Sequence, residues 1–328
     1  MRANPDLPLD VVGVGNAIVD VIANVADDFL SEQRMVKGSM QLIETERATS
    51  LYAAMPPGIE ASGGSAANTM AGVASLGGRA AYVGKVRDDQ LGEVFRHDTQ
   101  SGGVAFDVPA ATAGEPTARS LIQVTPDGER TMNTFLGISA YLSPDDVDEA
   151  LVASAAVTYC EGYLWDRLEA KDAIRHAMAV AADAGRIVSL TLSDSFCVDR
   201  HRDEWLDLVA DRVDLVFANE SEVCSMFETD DFEVAAVRLA EMVEVAALTR
   251  SEKGSVVMAG GERFDVPAQA IDRVVDATGA GDLYASGFLY GLSLGAGLGR
   301  CAELGAIAAA EVISHVGARP QVELATLL

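Results

Sequence analysis

Basic residues are scarce in this sequence. Its 328 residues include 24 Lys and Arg against 50 Asp and Glu, which gives a formal net charge of −26. A face that binds nucleic acid or an anionic membrane needs clustered Lys and Arg, so neither partner is expected. A phosphate site must then be built locally, from backbone N–H groups, a few cations and a metal ion. Lys85 is one candidate cation, and a solvated surface lysine is its alternative interpretation.

Cysteine and histidine are also few, with four of each scattered along the chain. The absence of a C-x-x-C pair argues against a zinc site or a disulfide framework and favours reduced cysteines in a cytoplasmic protein. Long apolar runs are missing too, since the longest uncharged stretch, between Asp282 and Arg300, is shorter than the ~20 residues of a spanning helix. Asp10 and Asp20 interrupt the first apolar run, so no signal peptide is predicted.

What the sequence does have is an alternation of short apolar runs with longer stretches of helical pattern. Residues 65–76, 167–184 and 233–241 are stretches of the second kind. Such alternation predicts an α/β protein with a mostly parallel sheet that helices cover on both faces. The apolar runs predicted as strands are residues 9–13, 80–83, 157–160, 187–192, 215–218 and 246–249.

Two segments, at about residues 21–45 and 113–139, break this alternation. The first has short β-like runs with little helical amphipathicity. The second predicts a hairpin, with strands at 118–125 and 130–136 around a Pro-Asp-Gly turn. Together they predict a small β-sheet beside the main domain. It could be a lid that closes over a substrate and excludes water, or a sheet extension with no gating role.

The segment 276–282, Asp-Ala-Thr-Gly-Ala-Gly-Asp, is the strongest candidate for chemistry. It follows a β-rich stretch at 271–275 and precedes a helical pattern at 283–292. Small residues at Gly279, Ala280 and Gly281 would leave N–H groups exposed at a helix N-terminus, which suits a transferring phosphoryl group. Asp282 could accept the proton of an attacking hydroxyl. The alternative is a tight turn with Asp282 as a helix cap.

A second candidate is the segment 62–68, in which Gly63 and Gly64 precede an Ala-rich helical stretch. Glycines at this point permit close approach of a ligand to the backbone. Asn68 can both donate and accept hydrogen bonds, which suits sugar hydroxyls. A tight turn followed by an Asn satisfied in the core is the alternative.

The segment 13–20 contains Gly-x-Gly after a predicted strand, as dinucleotide-binding turns do. The third glycine of that motif is missing because Ile18 takes its place, and the following residues suggest a second strand rather than a helix. A dinucleotide site, and with it an NAD-dependent dehydrogenase, is therefore disfavoured. Asp20 instead suggests a polar group near a strand end that binds two adjacent hydroxyls.

Asn219 and Glu222 follow the apolar run 215–218. Residues three apart share one face of a helical turn, and ligands collect at the carboxyl edge of a parallel sheet. The pair could hold a hydrated Mg²⁺ through its waters. The alternative is an Asn N-cap with acidic residues in the first turn.

Taken in order, these segments resemble the ribokinase-like (PfkB) family of carbohydrate and nucleoside kinases. The resemblance also includes a V-G-x-V-x-D-D segment at 83–89, and it runs through nearly the whole chain. The family's D-T-T-G-A-G-D corresponds to 276–282, with Ala277 in place of one Thr. Five motifs in the family order are far more specific than any one of them.

The resemblance implies one kinase unit over residues 1–328: a Rossmann-type three-layer α/β sandwich with a small β-sheet lid. It implies transfer of the γ-phosphoryl group of ATP to a primary hydroxyl, with Mg²⁺ and possible K⁺. The implied roles are: base, Asp282; anion hole, Gly279, Ala280 and Gly281; acceptor binding, Asp20, Gly63, Gly64 and Asn68; ATP binding, Asn219, Thr249, Ser251, Gly254 and Gly317; Mg²⁺ through water, Asn219 and Glu222; potassium, Asp276.

Within the family, the segment 63–69 is most similar to adenosine kinases, so adenosine is the expected acceptor. Met40, Met132, Phe135 and Tyr163 could contact a base or fill the core of the lid. A sugar kinase of the ribokinase, fructokinase or ketodeoxygluconate kinase type is the first alternative, and a non-catalytic nucleoside or sugar sensor is the second. Either a monomer or a homodimer is compatible with this sequence.

One departure from the family pattern lies near the predicted ATP site. The family often has T-x-G there, whereas this sequence has Thr249-Arg250-Ser251. The substitution puts the contacts to adenine or phosphate in doubt, and Arg250 is a candidate extra cation.

Overall fold

The computed structural model describes residues 3–4 and 6–328. Within those residues the strands are β1 (Leu9–Val14), β2 (Ile18–Asn24), β3 (Met40–Leu42), β4 (Ile59–Gly63), β5 (Ala80–Val83), β6 (Val104–Ala105), β7 (Ala118–Val124), β8 (Arg130–Phe135), β9 (Ala155–Glu161), β10 (Ile187–Thr191), β11 (Leu215–Asn219), β12 (Val245–Thr249), β13 (Ser255–Ala259) and β14 (Glu262–Val266).

The α-helices of the same residues are α1 (Asp27–Glu32), α2 (Thr45–Ala54), α3 (Ser65–Ser75), α4 (Gln90–Ser101), α5 (Glu149–Ser154), α6 (Leu168–Asp183), α7 (Ser195–Arg212), α8 (Glu220–Met226), α9 (Phe232–Ala240), α10 (Ala280–Ser293) and α11 (Leu298–Val312). Short 3₁₀ helices lie at Gly137–Tyr141, Pro144–Asp146, Gly162–Asp166, Ser251–Lys253 and Leu324–Leu327. No α-helix of the described residues is long and apolar enough to cross a membrane.

The main sheet has the order β14-β13-β12-β11-β10-β9-β1-β5-β6. Its strands from β12 to β6 pair in parallel, and β13 and β14 extend one edge as antiparallel strands. The central strands are buried on both faces, as in β1, where Val11, Val12 and Val14 have no exposed surface. This burial explains why they are continuous apolar runs. The predicted α/β fold is confirmed. Each apolar run predicted as a strand lies in one of these strands, except that the run 187–192 extends one residue beyond β10.

One predicted strand is wrong. The β-rich stretch 271–275 pairs with no strand and has irregular backbone. Val274 and Val275 are exposed, and the N–H of Val275 donates to the carbonyl of Ile313, just after α11, at 2.8 Å. The β-branched composition was misleading because this segment docks on the end of a helix instead of joining a sheet.

A second, smaller sheet has the order β3-β8-β7-β2-β4. The predicted hairpin corresponds to β7 and β8, which pair antiparallel, and β2 joins β7 in parallel. The ranges 21–45 and 113–139 contain β3, β7, β8 and most of β2. The edge strand β4 lies outside both ranges, because its polar, Gly-containing sequence has little strand pattern.

Glycines let helices α3, α10 and α11 pack closely. A methyl group at Gly72 of α3 would collide with Ser286 and Leu283 of α10. The carbonyl of Leu304 on α11 occupies the corresponding space at Gly287. Because Gly72 adds no side chain of its own to this contact, α3 and α10 pack closely and their N-terminal turns lie side by side. The candidate site is built there.

Candidate active site

A cavity of about 1030 Å³ lies between the two sheets. Its floor is formed by the carboxyl ends of parallel strands β10, β11 and β12, where ligands collect in folds of this kind. Its roof is the inner face of the smaller sheet, because alternate residues of β2, β7 and β8 point the same way. The roof residues are Ile18, Asp20, Ser120, Ile122, Met132 and Thr134.

Asp282 lies at this cavity in the first turn of α10. Gly279 precedes the helix with a φ of 81°, a left-handed conformation that glycine adopts at little cost. The Asp282 carboxylate accepts hydrogen bonds from Ser65 Oγ at 2.7 Å and Asn68 Nδ2 at 3.1 Å, both on α3. Burial raises the pKa of Asp282, and the bonds from Ser65 and Asn68 oppose that effect.

The turn before Asp282 exposes backbone donors to the cavity, since Gly279, Ala280 and Gly281 all line it. The first N–H groups of a helix have no partner one turn back, and the helix dipole favours an anion beside them. The N–H of Ala280 makes a 3.3 Å bond to the carbonyl of Ala277, so it is the most engaged of the three.

Asp20 faces Asp282 across one end of the cavity. Burial raises its pKa to about 6, although the charges of Arg130 and Arg319 act in the opposite direction. Gly63 packs on this carboxyl group, because a methyl group there would lie 2.6 Å from the Asp20 Cγ. Gly64 has a φ of 94° and, with Asp20 and Asn68, lines the cavity, whereas Gly63 lies behind it.

Glu161 is a buried carboxylate at the end of β9 that the sequence reasoning missed. It accepts hydrogen bonds from the N–H of Ala66 and from Asn16 Nδ2, both at 2.9 Å. Because Gly64 offers no side chain to cap α3, Glu161 caps the first turn of that helix from another strand. Burial raises its pKa to about 7. An acidic residue at the end of an apolar run was the available signal.

Asp276 is held by three donors. Its carboxylate accepts from the N–H of Gly317 at 2.9 Å and the N–H of Thr278 at 3.0 Å, and it pairs with Arg130 of β8. Burial alone would favour the protonated form, but these donors lower the pKa of Asp276 below its ordinary value. A potassium ion at this carboxylate would have to displace the guanidinium of Arg130.

Asn219 and Glu222 form a capping box at the start of α8. The Asn219 side chain accepts from the N–H of Glu222, and the Glu222 carboxylate accepts from the N–H of Asn219, both at 2.9 Å. Both residues also line the cavity. Burial raises the pKa of Glu222 to about 7, and the charges of Asp194 and Asp282 add to the effect. Asn219 and Glu222 therefore cap the helix, as the alternative interpretation predicted, and they also face the cavity.

The donor set beside Glu222 fits a hydrated divalent cation. Its oxygens are hard ligands, and the nearby acids give local negative charge. Among residues 3–4 and 6–328, no three His, Cys, Asp or Glu side chains are grouped to hold an ion directly. An ion here would take its remaining ligands from water and from phosphate oxygens, as Mg²⁺ commonly does.

The part of the cavity away from Asp20 is largely apolar. Thr249, Ser251 and Gly254 line it as predicted for ATP, together with Asn219. Gly317 does not line the cavity, and its N–H donates to Asp276 instead. The adjacent Ala318 does line the cavity. The remaining wall comes from α11 and from a loop that the sequence reasoning missed. Its residues are Ala306, Ala309, Ala310, Ala268, Gln269, Ala270, Ile271 and Val274.

The two candidate cations, Arg250 and Lys85, form ion pairs away from the cavity. Arg250 bonds Glu220 at 3.1 Å and stacks on the ring of Phe232, which explains why it does not face the cavity. Lys85 makes a 2.7 Å ion pair with Asp146, and both side chains are half-buried, so neither interpretation of Lys85 is right.

Four side chains are candidate contacts for a nucleobase, and two of them line the cavity. They are Met132 on β8 and Tyr163, whose hydroxyl donates to the carbonyl of Ser193 at 3.0 Å. Phe135 is buried in the smaller sheet, and Met40 is half exposed on its edge; neither lines the cavity.

Comparison with known proteins agrees with this geometry. Residues 45–324 match the family described as pfkB family carbohydrate kinase. The structure of adenosine kinase from Sinorhizobium meliloti is 55% identical, with a TM-score of 0.90 over 97% of this chain and 98% of that one. A probable sugar kinase protein from Rhizobium etli CFN 42 is 52% identical, with a TM-score of 0.91 over 98% of both chains. The adenosine kinase of Saccharomyces cerevisiae is 26% identical, covering 94% of this chain and 95% of that protein.

Proposed function

This chain belongs to the pfkB family of carbohydrate kinases, and we propose that it transfers the γ-phosphoryl group of ATP to the primary hydroxyl of adenosine. The observation that carries the proposal is the position of Asp282. It lies in the first turn of α10 and lines one cavity together with the predicted acceptor-binding and nucleotide-binding residues. A base and an anion-binding turn at the same place are what phosphoryl transfer requires.

In this mechanism Asp282 takes the proton of the acceptor hydroxyl as its oxygen attacks the γ-phosphorus. The bond from that phosphorus to the β–γ bridging oxygen breaks, and ADP leaves with its electron pair. Backbone N–H groups of Gly279 and Gly281 stabilise the charge on the transferring group. Burial favours proton uptake by Asp282, while Ser65 and Asn68 hold its carboxylate in place.

Magnesium would neutralise phosphate charge, held through water by Asn219 and Glu222. The strongly acidic chain makes such an ion useful, because no described Lys or Arg lines the cavity to serve instead. Asp20, Gly64 and Asn68 would bind the ribose hydroxyls, with Gly63 leaving room for Asp20. Thr249, Ser251 and Gly254 would contact the nucleotide, and Gly317 would act indirectly, through Asp276.

Adenosine is favoured over a free sugar by three apolar side chains in the roof of the acceptor half. Ile18, Ile122 and Met132 offer a planar base a dry surface, while a small sugar would leave them facing water. The smaller sheet would close over both substrates as a lid. The similarity to an adenosine kinase at 55% identity supports the same acceptor. We further propose a cytoplasmic enzyme that acts as a monomer or homodimer.

The test is ADP release measured across nucleosides and sugars, including adenosine, ribose, fructose and ketodeoxygluconate. Adenosine should give the highest kcat/KM, and Asp282→Asn should lower kcat by roughly 10² to 10⁴ while ATP still raises the melting temperature. A sugar with the highest kcat/KM would favour the sugar kinase alternative, which the probable sugar kinase protein at 52% identity also supports. Ligand-induced thermal shifts without ADP release would favour a sensor.

A further inference from the structure

The guanidinium of Arg319 lies beside Asn68, with Nε donating to the amide oxygen Oδ1 at 3.3 Å. The backbone before it is anchored on the phosphoryl side of the site. Gly317 donates its N–H to Asp276, and Ala318 packs against Gly279. The segment that contains Gly317 and Ala318 therefore positions the guanidinium of Arg319 beside the amide of Asn68 on α3.

The other end of that amide donates to Asp282, from Nδ2 to Oδ2, at 3.1 Å. A carboxamide can turn by 180° with little change in shape, which exchanges its donor and its acceptor. Only one of these orientations presents the oxygen to the cationic donor and the nitrogen to the carboxylate. Arg319, Asn68 and Asp282 thus form a chain of hydrogen bonds directed at the base.

The surroundings of Arg319 show that this arrangement costs desolvation energy. Burial lowers the pKa of its guanidinium, while the charges of Asp20 and Asp98 oppose that effect. Its Nη2 is buried without a hydrogen-bond partner in the part of the chain that the structure describes. A solvated arginine would avoid this desolvation, so a partly buried one at this place points to an orienting task.

We propose that Arg319 is a positioning residue for phosphoryl transfer. It fixes the Asn68 amide, and Asn68 fixes the Asp282 carboxylate toward the acceptor hydroxyl. The proposal rests on the proposed function, in which Asp282 is the base. Loss of Arg319 should lower kcat much more than it changes the KM for ATP, because the nucleotide half of the cavity is untouched.

The kinetic test is a double-mutant cycle with Arg319→Met, Asn68→Ala and the double variant. Arg319→Met should lower kcat about 10- to 100-fold, the effect of losing a hydrogen bond to a charged group. In the Asn68→Ala background it should change kcat less than about threefold, because the amide that it orients is gone. Equal losses in both backgrounds would overturn the proposal. Arg319→Lys, which keeps the charge and a donor, should retain more activity than Arg319→Met.

Arg96→Met is the matched control for a merely structural effect. Arg96 is a partly buried arginine that donates to the carbonyls of Phe106 and Val108, and it does not line the cavity. Its loss should lower the melting temperature and leave kcat unchanged. If Arg319→Met changes only the melting temperature, as the control does, the positioning role is wrong.

A crystallographic comparison keeps this inference separate from the proposed function. In Arg319→Met the Asn68 amide should be turned or its contact with Asp282 lengthened, whatever the acceptor turns out to be. An amide that keeps its place would contradict the proposal even if the enzyme phosphorylates adenosine. A wild type that turns over no acceptor would refute the proposed function and leave this readout intact. If Arg319→Met does not fold, Arg319→Gln serves for the same measurements.

Discussion

Arg130 of β8 forms an ion pair with Asp276, in the loop that leads into α10. The two side chains are only 11% and 6% exposed. Since β8 belongs to the smaller sheet and Asp276 precedes the anion-binding turn, this pair joins the roof of the cavity to the place where the phosphoryl group would be transferred. The pair thus couples the proposed lid to the site of the chemistry.

Arg130→Met should therefore destabilise the protein by about 3–5 kcal/mol, because it leaves the Asp276 charge buried without its partner. The free energy of unfolding from urea denaturation measures this loss. The double variant with Asp276→Asn should recover much of it, since no uncompensated charge remains. Equal stability of the single and double variants would contradict the coupling.

The same substitution tests the potassium assignment. With Arg130 present, the guanidinium satisfies Asp276, and we expect the same turnover in sodium and potassium buffers. In Arg130→Met the freed carboxylate can hold a monovalent cation, so the turnover of this variant should be higher in potassium than in sodium buffer. Potassium activation of the wild type would show that the cation binds elsewhere or displaces the arginine.

Much of the fold and the central motifs of the site could be predicted from sequence because they are local. Strands such as β5 and β12 are continuous apolar runs, and the Gly-rich turn before Asp282 carries its own conformational signal. Arg319 and the capping role of Glu161 could not be found this way, since their partners Asn68 and Ala66 lie far away in the chain. Which buried side chains meet depends on how α3, α10 and the sheet pack together.

Glu222→Gln should raise the concentration of Mg²⁺ needed for half-maximal activity. Burial raises the pKa of Glu222 to about 7, so the carboxylate is more fully ionised at pH 8 than at pH 6. The wild type should therefore need less Mg²⁺ as the pH rises across this range, and the variant should lose that dependence. Titrations of Mg²⁺ at the two pH values, with ADP release as the signal, measure both effects.

Glu220→Gln is the control, because Glu220 lies in the same helical turn but pairs with Arg250 and Lys253. It should keep the pH dependence of the Mg²⁺ requirement. A Glu222→Gln variant that behaves like this control would mean that Glu222 acts only as a helix cap.

Glu161 should make the protein less stable as the pH rises. Burial raises its pKa from 4.5 to about 7, so between those values the native state keeps a proton that the unfolded chain releases. The stability that this proton contributes is complete below pH 4.5 and is lost as the pH passes 7, at about 1.4 kcal/mol per pH unit. Glu161→Gln lacks this titration, so its free energy of unfolding should gain on the wild type by roughly 3 kcal/mol across the window.

Urea denaturation of both proteins at several pH values between 5 and 8 measures the difference. Asp265→Asn is the comparison, since Arg263 lowers the pKa of Asp265 and its titration falls below this window. That variant should differ from the wild type by the same amount at every pH. A difference between Glu161→Gln and the wild type that does not change with pH would mean that Glu161 is ionised throughout.

Replacement by alanine should change the stability of the protein in opposite directions at Gly279 and at Gly281. A methyl group at Gly279 would lie 2.8 Å from the carbonyl oxygen of Ala318, and its φ of 81° suits only glycine well. Gly279→Ala should therefore lose at least ~1–2 kcal/mol of stability from the backbone conformation alone. It should also lower kcat, because the 318–319 segment must move.

A methyl group at Gly281 meets no atom within 4 Å, and the residue is already helical. Gly281→Ala should gain up to about 1 kcal/mol of stability, because alanine is the better helix former. Its side chain would project toward the cavity that Gly281 lines. If a phosphoryl group approaches this turn, kcat must fall although the fold becomes more stable, and that combination cannot arise from damage to the structure. Unchanged kcat in Gly281→Ala would place the transferring group away from the N-terminus of α10.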